Sequence, residues 1–327
     1  MTNDGALTTD DAPARGTARA ASDPLTAAAV RANVLVNTVT VVRAGALSTV
    51  QDLGRAGRAH LGVPRSGALD EPAHRLANRL VGNPERAATI ETTLTGCAVR
   101  VARASTAAVT GAPCPVTVDG RPAAWGTPLR LPAGAVLEAG AATHGLRSYL
   151  AFGGGVDVDP VLGSRATDVL SGLGPDPLTD GARLPLGVPV GPAPWLDGAP
   201  APGPVRELAL PLALGPRDTW FTADALRTIG RAAYVVSAAS NRIGLRTEGP
   251  ALERAERGEL PSEGLVLGAV QVPPDGRPVL FLHDHPTTGG YPVIGVVPAD
   301  ALPAAAQAVP GTPVRFLPYR ARPSRLR

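Results

Sequence analysis

Short apolar runs separated by glycine and proline recur along most of the chain, a pattern typical of short strands joined by turns. In the first half these runs are Val39–Ala44, Ala88–Thr93, Ala98–Val101, Ala107–Thr110, Val116–Val118, Pro128–Leu131, Val136–Ala139 and Arg147–Ala151. In the second half they are Glu207–Leu214, Ala233–Ser237, Leu265–Val272, Val279–Leu282 and Pro313–Leu317. Their regular spacing predicts closed or sandwiched sheets rather than βαβ units. We therefore predict a mainly β (α+β) fold with a few helices.

A helix is signalled after Asp70, which is the predicted N-cap, with Pro72 in the first turn. Leu76 and Leu80 form an apolar stripe at helical spacing, and the Gly-Asn-Pro sequence at 82–84 ends the helix. Two further helices are predicted near 222–229 and over the alanine-rich segment 299–308.

The length of 327 residues is enough for two domains with their own cores. A proline-rich and glycine-rich stretch at 187–204 predicts a linker between domains at 38–186 and 205–318. Residues 1–37 show neither strand alternation nor a helical stripe and predict a mobile leader. The arginines within 319–327 predict a solvated tail.

The chain contains no lysine, so all 31 of its basic residues are arginine. This composition excludes a P-loop lysine, a Schiff base, and a lysine that carries biotin or lipoate. If ATP or biotin takes part in the activity, another chain must supply that part.

Charge and composition also limit the partners and the compartment. The net charge is +3 and aromatic residues make up 3% of the chain, which argues against nucleic-acid binding. Cys97 and Cys114 fit no metal spacing and are expected to be small buried residues of a reducing compartment. No signal-peptide pattern and no apolar run of membrane-spanning length occurs. We expect a cytoplasmic protein with no membrane partner.

The strongest candidate site is the polar segment that follows the apolar run at 279–282. It contains the residues His283, Asp284, His285, Thr287, Thr288, Gly289, Gly290 and Tyr291. Glycine amides approach a bound group closely and threonine adds short hydroxyl donors, so the segment suits an anion or oxyanion cradle. The alternative is a tight turn with solvated side chains. His283 and His285 would share one side of an extended segment, but no third ligand is identifiable and we predict no metal site.

The first half contains a second polar loop, whose candidate substrate-binding residues are Gln51, Asp52, Arg55 and Ser66. No nucleophile-elbow pattern surrounds Ser66, so a Ser-His-Asp site is not supported. Glu91 lies in a predicted strand next to an apolar run, where it would face either a cleft or outward into solvent, and we expect the outward position.

Several motifs occur in the order found in one known family. They are T-V-Q-D-L-G-R-A-G at 49–57, G-V-P-R-S-G-A-L-D at 62–70, A-N-R-L-V-G-N at 77–83, R-S-Y-L-A-F-G-G-G-V-D-V at 147–158, V-L-G-S-R-A-T-D at 161–168, S-N-R-I-G-L-R at 240–246, S-E-G at 262–264, G-A-V-Q-V-P-P-D-G at 268–276 and T-T-G-G-Y-P at 287–292. On these motifs the chain resembles the biotin-dependent carboxyltransferase family. That family includes the C subunit of 5-oxoprolinase, the second carboxyltransferase-type domain of urea amidolyase and the antagonist of a sporulation-kinase inhibitor.

The resemblance implies two linked cyclophilin-like β-barrel domains with a cleft between them. It implies a B-type partner subunit with a carboxyltransferase-type domain, and a LamB/YcsF-type chain as a third member of the complex. The implied reaction is the ATP-dependent opening of a small cyclic amide, 5-oxo-L-proline, to L-glutamate, with ATP shared with the partner subunits. Biotin cannot be attached to this chain, because it has no lysine.

The implied reaction suggests roles for particular side chains. Arg242 is the candidate clamp for the substrate carboxylate, or else it forms an ion pair with a neighbouring acid. Asp284 and Glu263 are the candidate acid or base groups, although Glu263 would equally suit a turn residue that caps backbone amides. The further expected substrate contacts in this half are Asn241, Gln271, Thr287, Thr288, Gly289, Gly290 and Tyr291.

Two other functions fit the same resemblance. The chain would be the carboxyltransferase component of a biotin-dependent urea or amide carboxylase, or a non-enzymatic antagonist of a histidine-kinase inhibitor.

Overall fold

The computed structural model describes residues 37–191, 198–255, 258 and 260–320, and the residues from Asn37 onwards cluster as one unit. Except for Asn37, the predicted leader lies outside the described residues. The same holds for 192–197 of the predicted linker and for the tail beyond Arg320. In the part of the chain that the structure describes, no helix is long and apolar enough to cross a membrane.

The first half consists mainly of strands. Their bounds are β1 Thr38–Arg43, β2 Leu47–Gln51, β3 Thr89–Thr93, β4 Cys97–Val101, β5 Ser105–Gly111, β6 Val116–Val118, β7 Arg121–Ala123, β8 Leu129–Leu131, β9 Val136–Ala139, β10 Arg147–Phe152 and β11 Arg183–Pro185. The helix in this half is α1, Glu71–Leu80, and a short 3-10 turn spans Ala59–Leu61.

The strands of the second half are β12 Leu208–Leu214, β13 Tyr234–Val236, β14 Gly244–Glu248, β15 Glu263–Gly264, β16 Ala269–Gln271, β17 Val279–Phe281, β18 Thr288–Gly289, β19 Val293–Val296 and β20 Pro313–Tyr319. Its helices are α2 Ala223–Arg231 and α3 Leu302–Gln307, with short 3-10 turns at Asp218–Trp220 and Ala299–Ala301.

Two sheets enclose the core of the first half. One has the strand order β11-β1-β4-β9-β6-β7 and the other the order β2-β3-β10-β5-β8. Alternate residues of each strand face the other sheet, so Val99 and Leu137 from the first sheet share one core with Ile90 and Leu150 from the second.

Helix α1 covers the opposite face of the five-stranded sheet. Asp70 caps the helix as predicted, because its Oδ1 accepts a hydrogen bond from the amide of Ala73 at 3.1 Å. The apolar side of the helix, with Ala77 and Leu80, packs on Tyr149 and its neighbours on β5 and β10. A second, smaller core therefore lies outside the sandwich.

The second half forms a closed barrel with the strand order β12-β19-β16-β17-β14-β13-β20. Strand β20 closes it by pairing parallel with β12 and antiparallel with β13. Leu210, Tyr234, Val270 and Phe316 fill the interior, and the apolar sides of α2 and α3 pack onto the same core. Strands β15 and β18 form a separate pair outside the barrel.

The prediction of a mainly β fold with few helices and a β-barrel is confirmed. Two local predictions need correction. The segment 47–51, predicted as part of a polar loop, is strand β2; four of its five residues are buried, so it lacks the alternation that marks a half-exposed strand. The single predicted strand 265–272 is broken at Gly268, where φ is +83° and a Cβ atom would lie 2.2 Å from the carbonyl oxygen of Val297.

His74 of α1 makes the stability of the first half depend on pH. Its ring is fully buried between Thr89 and the carbonyl of Glu85, and burial lowers its pKa to about 4. The unfolded chain then binds a proton between pH 6.5 and 4 that the folded chain does not, so stability falls as the pH falls through this range. We predict that His74 alone contributes a loss of about 2 kcal/mol in the free energy of unfolding in urea between pH 7 and pH 5. His74→Gln should reduce the observed loss by this amount, and His60→Gln, a change at an exposed position, should leave it unchanged.

Candidate functional site

The five-stranded sheet presents a polar face on the side away from the first core. Glu91 of β3 lies opposite Thr49 of β2 and Tyr149 of β10, and Tyr149 lies opposite Thr110 of β5. Residues paired across strands share a face, so these four side chains lie together, and all are buried. The prediction that Glu91 faces outward into solvent is therefore wrong: its side chain points away from the first core but is covered by the second half.

Arg242, in the loop before β14, meets this face from the barrel. Its Nε and one Nη atom donate to the carboxylate of Asp284 at 2.8 and 3.1 Å. The same Nη atom donates to the carbonyl of Gly67 at 2.7 Å, and the other contacts the carboxylate of Glu91. The guanidinium is 1% exposed. The sequence left open a substrate clamp or an ion pair with a neighbouring acid, and the structure shows the ion pair.

The charges in this network depend on one another. Burial by itself lowers the pKa of Arg242, but the charges of Asp284 and Glu91 outweigh it and hold the pKa above its usual value. For Glu91, burial raises the pKa, but the charges of Arg242 and Arg147 outweigh it and hold the pKa low. Burial also raises the pKa of Asp284, against the pull of Arg242. Arg242 donates to both carboxylate oxygens of Asp284, which is the geometry of an ionised carboxylate paired with a guanidinium.

Gln307, at the end of α3, makes a second connection between the halves. Its amide oxygen accepts from the backbone amides of Leu146 and Arg147 at 2.9 and 3.0 Å. Its amide nitrogen donates to the carboxylate of Asp70 at 2.7 Å and to the carbonyl of Arg147 at 2.9 Å. The guanidinium of Arg147 in turn donates to the carbonyl of Ala306. The whole hydrogen-bonding capacity of the Gln307 side chain is thus directed at the first half.

Arg55 and Ser66, both predicted to bind substrate, are bonded to each other. Arg55 donates to Ser66 Oγ at 3.0 Å, and also to the carbonyls of Ala166 at 2.5 Å and Val161 at 3.3 Å. Burial lowers the pKa of Arg55, although Asp168 and other acids oppose the shift. The backbone amide of Ser66 donates to the carbonyl of His283 at 2.9 Å, so this loop joins the 283–291 segment.

Asp52 holds the loop that precedes Ser66. One carboxylate oxygen accepts from the amide of Gly54 at 2.7 Å and from Ser164 Oγ at 2.6 Å, and the other accepts from the amide of Arg165 at 2.7 Å. These donors come from the loop that begins at Asp52 and from the loop at 161–174, so Asp52 holds the two loops together.

Gln51 lies deeper in the same loop cluster. Its amide nitrogen donates to Thr49 Oγ1 and to the carbonyl of Thr167, each at 3.0 Å. Its amide oxygen and Thr167 Oγ1 are both buried and have no hydrogen-bond partner among the described residues.

The loop 161–174 supplies residues that the sequence reasoning left without a role. The amide of Val169 donates to the carboxylate of Asp284 at 3.3 Å, and the Asp168 carboxylate accepts from the amide of Leu170 and from Ser171 Oγ. The sequence signal for this loop was its polar run S-R-A-T-D at 164–168, which was interpreted only as part of a family motif and not as a candidate site. Three loops, at 51–67, 161–174 and 283–286, therefore meet at the junction of the two halves.

The two histidines of the 283–291 segment bind protein groups. His283 Nε2 lies 3.6 Å from a carboxylate oxygen of Glu71, and His285 Nδ1 lies 2.7 Å from the carbonyl of Pro286. Burial lowers the pKa of His285. Among the described residues, no group of three or more His, Cys, Asp or Glu side chains could hold a metal ion.

The next predicted residues lie on the outer face of the barrel or beside it: Gln271 belongs to barrel strand β16, and Glu263 and Tyr291 lie outside the strands of the barrel. Glu263 of β15 pairs with Gly289 of β18, and its carboxylate forms an ion pair with Arg217. Gln271 donates to the carbonyl of Tyr291 at 3.0 Å, and the Tyr291 side chain is 44% exposed. Glu263 therefore shares no hydrogen-bond partner with Asp284 or Arg242 in the described structure.

Asn241 and the threonines serve mainly backbone contacts. Asn241 Oδ1 accepts from the amides of Ile243 and Gly244 at 2.9 and 3.2 Å, which shapes the loop that carries Arg242. The carbonyl of Thr287 accepts from the amide of Leu265 at 2.8 Å, while the Thr288 side chain is exposed.

A small pocket lies between the β15–β18 pair and the outer face of the barrel, and we call it the outer pocket. It has a volume of about 120 Å³ and is lined by Pro216, Glu263, Gly264, Leu265, Val266, Ala269, Gly289, Tyr291, Val293 and Val296. Its walls are mainly apolar. The predicted site residues thus fall into two places. One is an interior network, in which Arg55, Arg242 and Asp284 are bonded to other groups of the protein, and the other is the outer pocket.

Breaking the interior network should strongly destabilise the protein. Arg242→Met leaves the buried carboxylate of Asp284 without its counter-charge, so we predict a loss of about 3–5 kcal/mol in the free energy of unfolding. Asp284→Asn leaves Arg242 paired with Glu91, so its loss should be smaller. The double variant should lose clearly less than the sum of the two single losses. Denaturant unfolding measures all three. Arg217→Gln, which breaks an exposed ion pair, should leave the midpoint nearly unchanged, and losses no larger than this control would refute the structural role.

Gln307 offers an uncharged test of the same junction. Gln307→Ala removes four hydrogen bonds between the halves, and we predict a loss of about 2–4 kcal/mol. Gln307→Glu keeps the acceptor but places a second carboxylate beside Asp70, so its loss should grow as the pH rises from 4 to 7. A pH-independent loss for Gln307→Glu would contradict the contact with Asp70.

Comparison with known proteins agrees with the motifs. The family model "Carboxyltransferase domain, subdomain A and B" matches residues 61–318. The chain is 39% identical to the C subunit of 5-oxoprolinase from Escherichia coli K12 over 287 residues, which cover 85% of this chain and 90% of that protein. It is 33% identical to the C subunit of 5-oxoprolinase from Haemophilus influenzae over 276 residues, with coverage of 82% and 87%.

A solved structure with a similar fold is the urea amidolyase of K. lactis, with a TM-score of 0.79 and 29% identity. The match covers 86% of this chain but only 18% of that much longer chain. The family match and the relatives of nearly equal length lead to one conclusion: the chain belongs to the carboxyltransferase domain A and B family.

Proposed function

We propose that this chain is the C subunit of a 5-oxoprolinase that opens 5-oxo-L-proline to L-glutamate with ATP. The observation that carries the proposal is the match over 90% of the length of a 5-oxoprolinase C subunit. The aligned region thus includes nearly the whole length of that subunit. The proposed partners are a B-type subunit and a LamB/YcsF-type chain, and the cytoplasmic location predicted from the sequence completes the proposal.

The second candidate function is carboxyl transfer to urea or another amide from a biotin on another protein. The similarity in fold to urea amidolyase favours it. The matched section is 18% of that chain, so most of the urea amidolyase lies outside the match.

The residues of this chain do not fit an ATP site of its own. The chain has no lysine, and the buried arginines Arg55, Arg147 and Arg242 are bonded to carbonyls, hydroxyls or carboxylates of the protein. A phosphate would have to displace these contacts. We therefore assign ATP to a site that the partner subunits supply, and we derive no phosphate chemistry from this chain.

The proposed part of this chain is to bind and orient the lactam. An amide ring is a poor electrophile, and its opening needs a fixed carbonyl, a bound carboxylate and a positioned proton acceptor. Asp284 and Arg242 act here as positioning residues, because their ion pair fixes the 283–291 segment against the first half. Glu263 is the proposed acid or base group, since its carboxylate is partly exposed and borders the outer pocket.

The test is reconstitution with the chains encoded next to this one. We predict that 5-oxoproline-dependent ATP hydrolysis and glutamate release require all of the chains together and cease when this chain is left out. A folded, complete complex without turnover would refute the proposal, as would turnover that persists without this chain. Biotin-dependent carboxylation of urea by the same complex would establish the second candidate instead.

A further inference from the structure

We propose that the outer pocket is the site that binds the lactam substrate, with the ring against its apolar walls and the carboxylate on Arg217. This inference rests on the proposed function, because it takes 5-oxo-L-proline as the substrate. It differs from the expectation drawn from the sequence, in which Arg242 holds the substrate carboxylate.

The position of the pocket makes it available to a ligand. The barrel interior is filled by its own core, but Ala269, Val279, Phe281 and Val293 form a separate apolar cluster on the outer face, joined by Leu265. The β15–β18 pair passes over part of this cluster and leaves the outer pocket beside it. The strands of this pair are two residues long, and each contains one glycine, at 264 and 289.

Size and polarity select the class of ligand. The volume of about 120 Å³ is below the roughly 300–1,000 Å³ of pockets for drug-sized molecules, so the ligand must be small. Walls formed by Leu265, Val293 and Val296 favour a compact apolar body, such as the methylene groups of a five-membered ring. Urea has no apolar part and gains nothing from such walls.

The groups that a lactam acid requires are Glu263, which lines the pocket, and Arg217, which is bonded to Glu263 and follows the lining residue Pro216. Arg217 and Glu263 form an ion pair whose side chains are 39% and 31% exposed, so either partner can exchange its contact for one with a ligand. The guanidinium suits the ligand carboxylate, and the Glu263 carboxylate suits the ring N–H. By contrast, the guanidinium of Arg242 is 1% exposed and is shared between two protein carboxylates.

The backbone holds Arg217 against the pocket wall. Its amide donates to the carbonyl of Val293 at 3.0 Å, and the preceding residue, Pro216, lines the pocket. Gly289 is constrained on the other side, since a Cβ atom there would lie 2.8 Å from both a Leu265 methyl group and the Gln271 amide nitrogen. The shape of the pocket is therefore set by fixed backbone as well as by side chains.

The first experiment measures binding to the assembled complex without ATP by saturation-transfer NMR. Its ligands are 5-oxo-L-proline, 2-pyrrolidinone, which has the ring but no carboxylate, and urea. We predict that Arg217→Gln weakens the binding of 5-oxo-L-proline about tenfold, which is the effect of one lost charged hydrogen-bond pair, and leaves the affinity for 2-pyrrolidinone unchanged. Arg315→Gln, at another exposed ion pair on the same barrel, is the matched control and should change neither ligand.

The second experiment fills the pocket. Val296→Phe should raise the KM for 5-oxo-L-proline at least about tenfold and should weaken the binding of 2-pyrrolidinone equally, because the larger side chain occupies the volume that the ring would fill. Val235→Phe makes the same change at a position on β13 that is 36% exposed and outside the pocket, and should have no effect. Thermal unfolding of each variant verifies that the barrel is intact.

The outcomes separate this inference from the proposed function. Turnover of 5-oxo-L-proline with a KM unaffected by Arg217→Gln and Val296→Phe would refute the pocket and leave the proposed function in place. If the complex has no turnover, the proposed function fails. In that case binding of urea as strong as that of 5-oxo-L-proline, or no binding of either ring, refutes the pocket as well.

Discussion

A buried guanidinium shared between two carboxylates is the constraint on which the arrangement of this molecule depends. Glu91 comes from a sheet of the first half and Asp284 from the barrel, and Arg242 lies between them, buried from solvent. An isolated charge in such surroundings is strongly unfavourable, so each half buries its charged group only while the other half is in place. A buried ion pair is weak evidence for high stability, but it restricts how the two halves can meet.

Around this network the junction is largely polar, although Leu69 of the first half packs into the core of the barrel. Gln307 directs four hydrogen bonds at the first half, and Arg55 and Asp52 fix the loops that border it. Hydrogen bonds of this kind depend on distance and angle, whereas apolar contacts tolerate sliding. The segment 283–291 is therefore held at its start by the network, while its end, at Gly289 and Tyr291, forms part of the outer pocket.

The sequence predicted those features that depend on local pattern. The helix with its cap at Asp70 and most of the short strands follow from spacing and turn residues, and the family follows from motifs. The sequence did not correctly predict the surroundings of particular side chains. Glu91 alternates with core residues, a pattern that indicates a solvent-exposed side chain. The residue that covers it, Arg242, lies 151 positions later in the chain, and the local pattern gives no sign of that contact.

Long-range contacts also explain why the candidate site residues, expected to act together, lie in two different places. Arg242, Asp284 and Glu263 all lie beside family motifs, and their sequence spacing gives no sign that two of them bond to each other while the third pairs with Arg217. Strand β2 was missed because both of its faces are covered. In each case the missing information is long-range contact, which single-sequence periodicity does not contain.

The most direct test of the dependence between the halves follows their unfolding separately. Trp125 packs against the first core and Trp220 against the second. The chain has a third tryptophan, Trp195, so two variants that each keep only Trp125 or only Trp220 report on one half each. If the buried network couples the halves, both fluorescence signals will show the same midpoint and the same slope in urea. Two separate transitions in the otherwise unchanged protein would contradict the coupling and show that each half is stable without the other.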